Sequence, residues 1–304
     1  MFVQKEHWKQ IDFKTCDISL HGGVPKQFYT IREKQFGDWE IPPWELFIYQ
    51  DKILGEGSFS KVYLAKWRET LVVAKVIDET ICQEKKELVL REFNIMTKLH
   101  HPNIVQFLGY IDNPFIIVME YIPKGNLLTN IPKISKTQKI NIMKDILKGL
   151  VYIHNRKPYS LIHRDIKPTN ILLTNSKVAK ITDFGLSKFY SIEKNYFYEN
   201  LSELDNEANS ELDNEANSEL TTPIGTERYM APETKSNKYN NKIDIYSCGI
   251  MLYEMFENKR YIPYTNMQWV WTPKKIKKII INNMLSKNPD DRPEALTILR
   301  LLEK

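Results

Sequence analysis

The sequence has few cysteines and no long apolar run. Its three cysteines, Cys16, Cys82 and Cys248, form no Cys-x-x-Cys pair and have no histidine at zinc-ligand spacing. This pattern argues against a disulfide framework or a zinc site and favours a reducing, intracellular compartment. No stretch reaches the roughly 18 apolar residues of a membrane-spanning helix, and the N-terminus, MFVQKEHWKQ, lacks an apolar signal-peptide region. We therefore expect a soluble protein without a membrane span.

Acidic residues outweigh basic ones in only one segment. The net charge is +5, but residues 201–219 contain seven acids and no base, so the remainder carries +12. The lysines at 274–278 flank apolar isoleucines at helical spacing, as on a solvated helix face, so we predict no nucleic-acid binding.

The abundance of Ile, Lys and Asn is typical of an AT-rich genome. We predict a cytoplasmic location, or the host cytoplasm or virion if the genome is viral.

Hydrophobic periodicity predicts a sheet followed by helices. Three short runs, at 48–57, 59–67 and 70–77, predict consecutive antiparallel strands. A helix is predicted at 84–99 and strands at 104–110 and 115–121, and after the linker at 123–126 the pattern becomes helical. One face of that helix carries Ile140, Met143, Leu147, Leu150 and His154. The order predicts an α+β fold with two lobes.

An octad, SELDNEAN, occupies 202–209, is duplicated at 210–217 and begins again at 218–220. Eight residues are too few for a solenoid unit, and one leucine per repeat cannot offset the entropy of ordering, so we expect a mobile insert. Duplication without function is the simplest origin.

Two short motifs carry the chemistry of the chain. HRDIKPTN occupies 163–170 and DFG occupies 183–185. Phosphoryl transfer has a loose, highly charged transition state, so a protein contributes mainly positioning and charge neutralisation. The reaction needs a carboxylate at the attacking hydroxyl, which Asp165 can supply. It also needs oxygen ligands on a metal ion, which Asn170 and Asp183 can supply.

A glycine-rich segment, GEGSFS at 55–60, precedes these motifs. Because glycine has no Cβ, the backbone amides of such a turn can approach phosphates closely, although a plain hairpin turn explains the segment equally well. Lys75 lies in an apolar run, where a cation needs an anionic partner, and Glu92 on the following helix is the candidate. The alternative is that Lys75 faces solvent from an alternating strand.

Each short motif could occur by chance, but their occurrence in this order along the chain makes a chance match rare. GEGSFSKVY, VVAK, REFNIM, HRDIKPTN, DFG, GTERYMAPE (225–233) and DIYSCG (244–249) appear in sequence, with Arg292 near the end. This series resembles the eukaryotic protein kinase family over residues 48–304. The resemblance implies a two-lobed kinase fold, with a small antiparallel N-lobe sheet carrying one helix (48–122) and a larger, mainly helical C-lobe (123–304). Residues 1–47 form an N-terminal lead-in.

The resemblance also implies roles for particular residues. Asp165 would accept the proton of the substrate hydroxyl, and Lys75 would hold the phosphates of ATP. The catalytic set is Lys75, Glu92, Asp165 and Lys167. The ligands of magnesium, or of manganese, are Asn170 and Asp183. The ATP-binding residues are Leu54, Gly55, Glu56, Gly57, Ser58, Phe59, Ser60, Lys61, Val62, Ala74, Lys75, Glu120, Ile122, Asn126 and Leu172. Met96, Phe107, His163 and Phe184 would form a packed column, and Met119 would be the gatekeeper.

Further residues indicate the kind of kinase. Lys167 and Thr226 match the serine/threonine pattern, so protein substrates with Ser or Thr acceptors are implied. The stretches WEIPPWELFIYQDKILGEGSF and HHPNIVQFLGY resemble the tyrosine-kinase-like group, which contains Raf and the mixed-lineage kinases. Arg164 would receive a phosphate on Thr222, or on Thr221, added by an upstream kinase or by trans-autophosphorylation. Glu233 and Arg292 would form a buried ion pair.

Several features depart from the family pattern. Ser60 stands where the third glycine is usual, the segment 183–233 is long at 51 residues, and 124–136 and 257–276 are short. The acidic insert is either inert or competes for Arg164 or basic substrates and holds the segment inactive. Two other functions remain open: a pseudokinase scaffold, against which the complete catalytic set argues, and a small-molecule kinase, against which GTERYMAPE argues.

Overall fold

A computed structural model describes residues 39–57, 60–78, 83–157, 159–191, 196–198, 226–236, 239–263 and 266–303. The chain divides into two compact units, one comprising residues 1–81 with 107–121 and the other comprising 82–106 with 122–304. The sheet-first, helices-second order predicted from sequence is confirmed. The acidic repeat, Thr221, Thr222, Ser58 and Phe59 lie outside the described residues.

The smaller unit is built on one antiparallel sheet of five strands in the order β1-β2-β3-β5-β4. The strands are β1 (Leu46–Gly57), β2 (Ser60–Trp67), β3 (Thr70–Ile77), β4 (Phe107–Ile111) and β5 (Ile116–Glu120). The register of β2 on β3 places Val62 opposite Lys75, and that of β3 on β5 places Lys75 opposite Ile117. The three side chains therefore share one face of the sheet, because directly opposed residues lie on the same side.

The other face of this sheet forms the core of the unit. Val72, Ala74 and Val118 are fully buried in one apolar cluster with Ala65 and Ile116. Side chains alternate between faces along a strand, so Ala74 lies on the face opposite to Lys75, and Val73 shares the Lys75 face. Ala74, which the resemblance assigns to the nucleotide site, therefore lies in the core of the unit and on the face away from Lys75; a shift of one residue along the strand exchanges the faces.

The end of the lead-in completes the same core. Glu40 forms a parallel bridge with Tyr110 at the β4 edge, and the Ile41 amide donates to the Tyr110 carbonyl at 2.7 Å. Ile41 is 3% exposed. A Cβ on Gly109 would lie 2.7 Å from both the Ile41 side chain and the Trp39 carbonyl. Glycine at 109 is thus what allows the lead-in to lie against the edge strand.

The larger unit is mainly helical. Its helices are α1 (Gln83–Met96), α2 (Leu127–Asn130), α3 (Lys136–His154), α4 (Lys242–Glu257), α5 (Lys274–Ile279) and α6 (Ala295–Glu303). Short strands accompany them: β6 (Ser160–Ile162), β7 (Ile171–Leu173), β8 (Ala179–Ile181), β9 (Lys188–Ser191) and β10 (Tyr196–Tyr198). Strands β7 and β8 form one antiparallel pair, and β6 and β10 flank β9 in a second sheet.

Helix α3 forms where the periodicity predicts it. Ser135 and Gln138 make a capping box that satisfies two amide groups at its first turn. Met143, Leu147 and Leu150 are fully buried, while Ile140 is only half-buried. His154, in the last turn, is also buried. The predicted apolar face is therefore correct from Met143 onward and fixes α3 against the rest of its unit.

Helix α4 is buried along nearly its whole length. Residues 247–257 are all buried, and Asn258 ends the helix in the left-handed conformation with φ 50°. Three carboxylates, those of Asp244, Glu254 and Glu257, are among the buried residues. Ionisable groups are buried only where they have partners, so each of these carboxylates marks a contact with another part of the chain.

Among the described residues, no helix is long and apolar enough to cross a bilayer.

Candidate active site

The backbone of the 163–170 loop is held by one buried carboxylate. Asp244 Oδ2 accepts from the His163 amide at 3.0 Å, and its Oδ1 accepts from the Arg164 amide at 2.9 Å. His154 Nε2 lies 2.8 Å from Oδ2. Burial opposes ionisation of Asp244, but the hydrogen bonds and charge of His154 and the His163 amide outweigh it, so its pKa is lowered.

These hydrogen bonds hold a strained backbone. Arg164 and Asp183 both adopt left-handed conformations, with φ of 71° and 67°. Such a conformation costs a non-glycine residue roughly 1–3 kcal/mol and persists only where the surroundings enforce it. Asp244 supplies that enforcement at Arg164.

His163 links the two motifs. Its Nδ1 accepts from the Asp165 amide at 3.3 Å, so its Nε2 is the protonated nitrogen and donates to the Thr182 carbonyl at 3.2 Å. Its ring lies against Phe184, with centroids 4.9 Å apart. From the sequence we expect His163 and Phe184 to form a packed column with Met96 and Phe107. Met96 is buried in the larger unit with them, whereas Phe107 belongs to the smaller unit.

Asp165 is 7% exposed and surrounded by hydrogen-bond donors. Its Oδ2 lies 2.6 Å from Lys167 Nζ and 3.0 Å from Asn170 Nδ2. Its Oδ1 accepts from the Thr226 hydroxyl at 3.1 Å and from the Thr226 amide at 3.3 Å. Lys167 Nζ also donates to the Thr226 hydroxyl at 2.9 Å. Asp165, Lys167 and Thr226 therefore form a closed triangle that joins the loop to the segment after the insert.

Asn170 and Asp183 present oxygen donors near this triangle. The Asn170 amide nitrogen donates to two oxygens of Asp165, the backbone carbonyl and Oδ2, both at 3.0 Å. Its backbone carbonyl accepts from the Thr182 amide at 3.0 Å, which joins it to the residue before Asp183. Asp183 is exposed. One exposed carboxylate and one amide oxygen are the chemistry that Mg²⁺ accepts from proteins.

Helix α1 brings Glu92 to the DFG segment. A Cβ on Gly185 would lie 3.4 Å from Asp183 Oδ1 and 3.6 Å from Glu92 Oε2, so the two carboxylates flank this glycine. Glu92 is 6% exposed. The neighbouring Arg91 donates to the Ser187 carbonyl at 2.9 Å. Helix α1 and the DFG segment are thus fastened within one unit.

The remaining predicted residues divide between the two units. Lys75 is half-buried and shares one face of the five-stranded sheet with Val62 and Val73. Lys61 Nζ forms an ion pair with Glu56 at 3.3 Å. The smaller unit contains Leu54, Gly55, Glu56, Gly57, Ser60, Lys61, Val62, Ala74, Lys75 and Glu120. The larger unit contains Glu92, Ile122, Asn126, Asp165, Lys167, Asn170, Leu172 and Asp183.

Asn126 has a structural task that the sequence did not reveal. It is the N-cap of α2, where its Oδ1 accepts from the Thr129 amide at 3.1 Å. It also forms an antiparallel bridge with Leu172. The cap uses one of the two acceptor positions of Oδ1, and the role of Asn126 in ATP binding stays a prediction.

A recess opens beside Asp165. Its lining includes Thr226, Tyr229, Met230 and Ala231 from the segment after the insert. The Tyr229 hydroxyl donates to Glu254 Oε2 at 2.6 Å. Burial, reinforced by this hydrogen bond, raises the pKa of Tyr229, and burial raises the pKa of Glu254. Helix α4 therefore positions the floor of the recess as well as the catalytic loop.

The predicted ion pair between Glu233 and Arg292 is present. Arg292 is fully buried. Its Nη2 donates to Glu233 Oε2 at 2.8 Å, and its Nε donates to the Ser286 carbonyl at 2.9 Å. Sequence reasoning missed Asp244, His154 and Glu254. Charged residues in the otherwise apolar stretch of α4 were the available signal.

Residues 48–301 match the family model for the protein kinase domain. The chain belongs to the protein kinase family. It is 32% identical over 295 residues to serine/threonine-protein kinase VIK of Arabidopsis thaliana, covering 88% of this chain and 62% of that one. It is 36% identical over 229 residues to serine/threonine-protein kinase shk2 of Schizosaccharomyces pombe, covering 71% and 34%. It is 32% identical over 228 residues to serine/threonine-protein kinase CTR1 of Arabidopsis thaliana, covering 72% and 25%.

These matches confirm the family resemblance and the α+β two-lobed kinase fold. All three relatives are named serine/threonine-protein kinases. The kinase chain spans at most 62% of the length of these relatives. What the relatives do as whole proteins is therefore a separate question.

Proposed function

We propose that this kinase transfers the γ-phosphoryl group of ATP to Ser or Thr hydroxyls of protein substrates. The triangle of Asp165, Lys167 and Thr226 carries this proposal. Lys167 Nζ, 2.6 Å from Oδ2, orients the Asp165 carboxylate, which is the group that would accept the proton of an incoming hydroxyl. The 3.3 Å contact from the Thr226 amide is the weakest around Asp165 and is the one that a substrate hydroxyl can replace.

The metal that fits the site is magnesium, with manganese as an alternative. When bound, the cation neutralises charge on the phosphates of ATP during transfer. Asp183 and the Asn170 amide oxygen would hold it, since hard cations take oxygen ligands and magnesium needs only one or two from the protein. Because the Asn170 amide nitrogen donates to Asp165, the amide oxygen is the atom that would bind the cation.

We propose the nucleotide-binding residues of each unit separately. In the smaller unit they are Lys75 at the phosphates, the glycine-rich segment above them, and the Glu120 backbone at the adenine, with the Ile122 backbone as its counterpart in the larger unit. In the smaller unit Val62 and Val73 would supply apolar contacts, with Val73 taking the role first given to Ala74. In the larger unit Leu172 would do so. The shared face of Val62, Val73 and Lys75 supports this set.

We also propose regulation through the segment after the DFG motif. Phosphate on Thr222, from an upstream kinase or from a second copy of the enzyme, would pair with Arg164. Arg164 is 7% exposed, and its guanidinium lies over the Tyr239 ring, 5.9 Å from the centroid. A guanidinium held in one place is suited to bidentate phosphate binding.

The test is phosphotransfer followed by mass spectrometry. Purified chain is incubated with ATP, magnesium and a mixed protein substrate, and phosphorylated residues are identified; a parallel sample carries Asp165→Asn. We expect phosphoserine and phosphothreonine in the first sample and none in the second. Phosphotyrosine alone would refute the acceptor class. Equal, background-level signal from both samples would favour a pseudokinase scaffold, and phosphate on a small molecule but not on protein would favour a small-molecule kinase.

A further inference from the structure

The chain between α4 and α5 exposes apolar side chains on a fixed loop. Val270 and Trp271 are 64% and 61% exposed. Their backbone amides donate to Glu257 Oε2 at 2.9 and 3.1 Å, and the Thr272 amide donates to Glu257 Oε1 at 2.9 Å. The carboxylate satisfies three successive amides, as at a helix N-terminus, so the backbone is fixed while the two side chains face solvent.

The surface around this loop is strongly cationic. Residues 258–289 contain seven bases and no Asp or Glu. Glu254 and Glu257, which lie under the loop, are 3% and 2% exposed and are occupied by hydrogen bonds. The charged groups that this stretch exposes to solvent are therefore all basic.

Ring contacts bring the parts of this surface together. The Tyr253 ring lies 4.9 Å from that of Trp269 and 6.3 Å from that of Tyr261. The Tyr253 hydroxyl donates to the Gln268 carbonyl at 3.1 Å, and Lys277 Nζ lies over the Trp269 ring at 5.4 Å. We call the resulting patch the basic-apolar surface; its members are Lys259, Arg260, Val270, Trp271, Lys274, Lys275, Lys277 and Lys278.

We propose that the basic-apolar surface binds the acidic repeat of the same chain. Residues 201–219 contain seven acids and no base, which complements the seven bases of 258–289. Each octad also carries one leucine, at 204 and 212, for which Val270 and Trp271 offer apolar contact. Complementary potentials of this kind select a partner and exclude like-charged segments.

The connection along the chain permits this contact. Twenty-seven residues separate Tyr198 from Thr226, and a chain of that length spans up to about 90 Å when extended. A tethered segment also has an effective concentration in the millimolar range, so weak ion pairs suffice to hold it. A bilayer fits the surface less well, because stable membrane attachment needs more than one anchoring signal.

The first test is a zero-length carbodiimide cross-link between carboxylates and lysines, mapped by mass spectrometry. We expect cross-linked peptides joining 202–219 to Lys274, Lys275 or Lys278. Equal yields to the exposed lysines Lys124, Lys133 and Lys136 would overturn the proposal. A mixture of ¹⁵N-labelled and unlabelled chain identifies the donor, since cross-links between labelled and unlabelled peptides would overturn the assignment to the same chain.

The second test measures binding without turnover, so it does not depend on the proposed catalysis. A fluorescent peptide, SELDNEANSELDNEAN, is titrated into a chain lacking 202–217. We expect the triple change K274Q, K275Q, K278Q to weaken binding about tenfold, since exposed ion pairs contribute little each and add modestly. Trp271→Ala should weaken it by a similar factor. The matched triple K124Q, K133Q, K136Q should have no effect.

Salt and competing anions complete this test. Affinity should fall as NaCl is raised from about 0.1 to 1 M, because the screening length drops from about 10 to about 3 Å. If both lysine triples weakened peptide binding equally, binding would depend only on net charge, and the proposal would be overturned. Binding to phosphatidylserine vesicles or to single-stranded RNA, with none to the peptide, would assign the surface to those partners and also overturn it.

Discussion

One helix holds two irregular loops by carboxylates at its opposite ends. Asp244, in the first turn of α4, accepts from the amides of His163 and Arg164 in the catalytic loop. Glu257, the last residue of α4, accepts from the amides of Val270, Trp271 and Thr272. The arrangement is the same: a buried acid on a rigid helix satisfies neighbouring amides that have no helix or strand of their own.

The two loops differ in what surrounds the fixed backbone. Around Asp244 the loop residues 163–165 are buried, whereas around Glu257 the apolar side chains of Val270 and Trp271 face solvent. The same arrangement therefore supports the proposed catalytic centre at one end and an exposed surface at the other. We expect the two ends to be separable by mutation, with activity depending on the first and local stability on the second.

Asp244→Asn should have the largest effect. The amide nitrogen of asparagine would face a backbone N–H, leaving a buried donor unsatisfied and releasing the left-handed Arg164 backbone. We expect a loss of about 3 kcal/mol in the free energy of unfolding and of about 100-fold in kcat, since small displacements of a catalytic loop have effects of that size. Denaturant unfolding and steady-state phosphotransfer measure the two quantities.

The control for this prediction is the same substitution at an exposed carboxylate, Asp290→Asn, which should change neither the free energy of unfolding nor kcat. Full activity in Asp244→Asn would show that the catalytic loop keeps its geometry without the helix anchor.

Thr226→Val should have the next largest effect and should act on activity alone. The change keeps the shape of the side chain but removes the hydroxyl that lies between Asp165 and Lys167. We expect kcat to fall about tenfold, the size of one charge-assisted hydrogen bond lost in the transition state. Thr226→Ser should retain most of the activity. Equal losses in the valine and serine variants would indicate a steric role for Thr226 instead.

Glu257→Gln should affect stability alone. The glutamine keeps one acceptor oxygen and leaves part of the 270–272 backbone unsatisfied, so we expect a loss of about 2 kcal/mol in the free energy of unfolding. The value of kcat should stay within about twofold of the parent, because Glu257 contacts no residue of the catalytic triangle. A large fall in kcat would mean that the two ends of α4 are coupled.

The smallest effect concerns pH. Burial opposes ionisation of Glu257, but hydrogen bonds from Thr272 and from the amides of 270–272 outweigh it and lower the pKa. A carboxyl with a lowered pKa in the folded state takes up protons more readily when unfolded, so stability rises with pH. Its contribution is complete above the ordinary glutamate pKa of about 4.3 and is lost below the lowered value. The difference in Tm between parent and Glu257→Gln should therefore shrink as pH falls.

The sequence predicts the elements well because they rest on local patterns. The alternating runs gave β1 to β3, and the spacing of Met143, Leu147 and Leu150 gave the buried face of α3. The face on which Ala74 lies could not be predicted, because a shift of one residue on a strand exchanges the faces, and only pairing with β2 and β5 fixes which face is which.

Candidate site residues could be picked out from the sequence where they belong to contiguous motifs, as with Asp165, Asn170 and Asp183, and their roles stay predictions. The supporting contacts were not. Asp244 lies 80 residues from Arg164 along the chain, and Glu257 lies 14 residues from Trp271 with no motif around either end of that contact. Such contacts depend on how a helix and a loop are packed, which periodicity along one strand or helix does not encode.

The bridge between Glu40 and Tyr110 has a practical consequence for making this protein. Strand β4 is an edge of the five-stranded sheet, and residues 39–41 cover it. A recombinant chain begun after Ile41, close to where the kinase motifs start, would uncover the main-chain donors and acceptors of that edge together with the hydrophobic site that Ile41 fills. Uncovered edges pair with other chains. Expression trials that retain Trp39 should therefore yield monodisperse material, and shorter ones should aggregate.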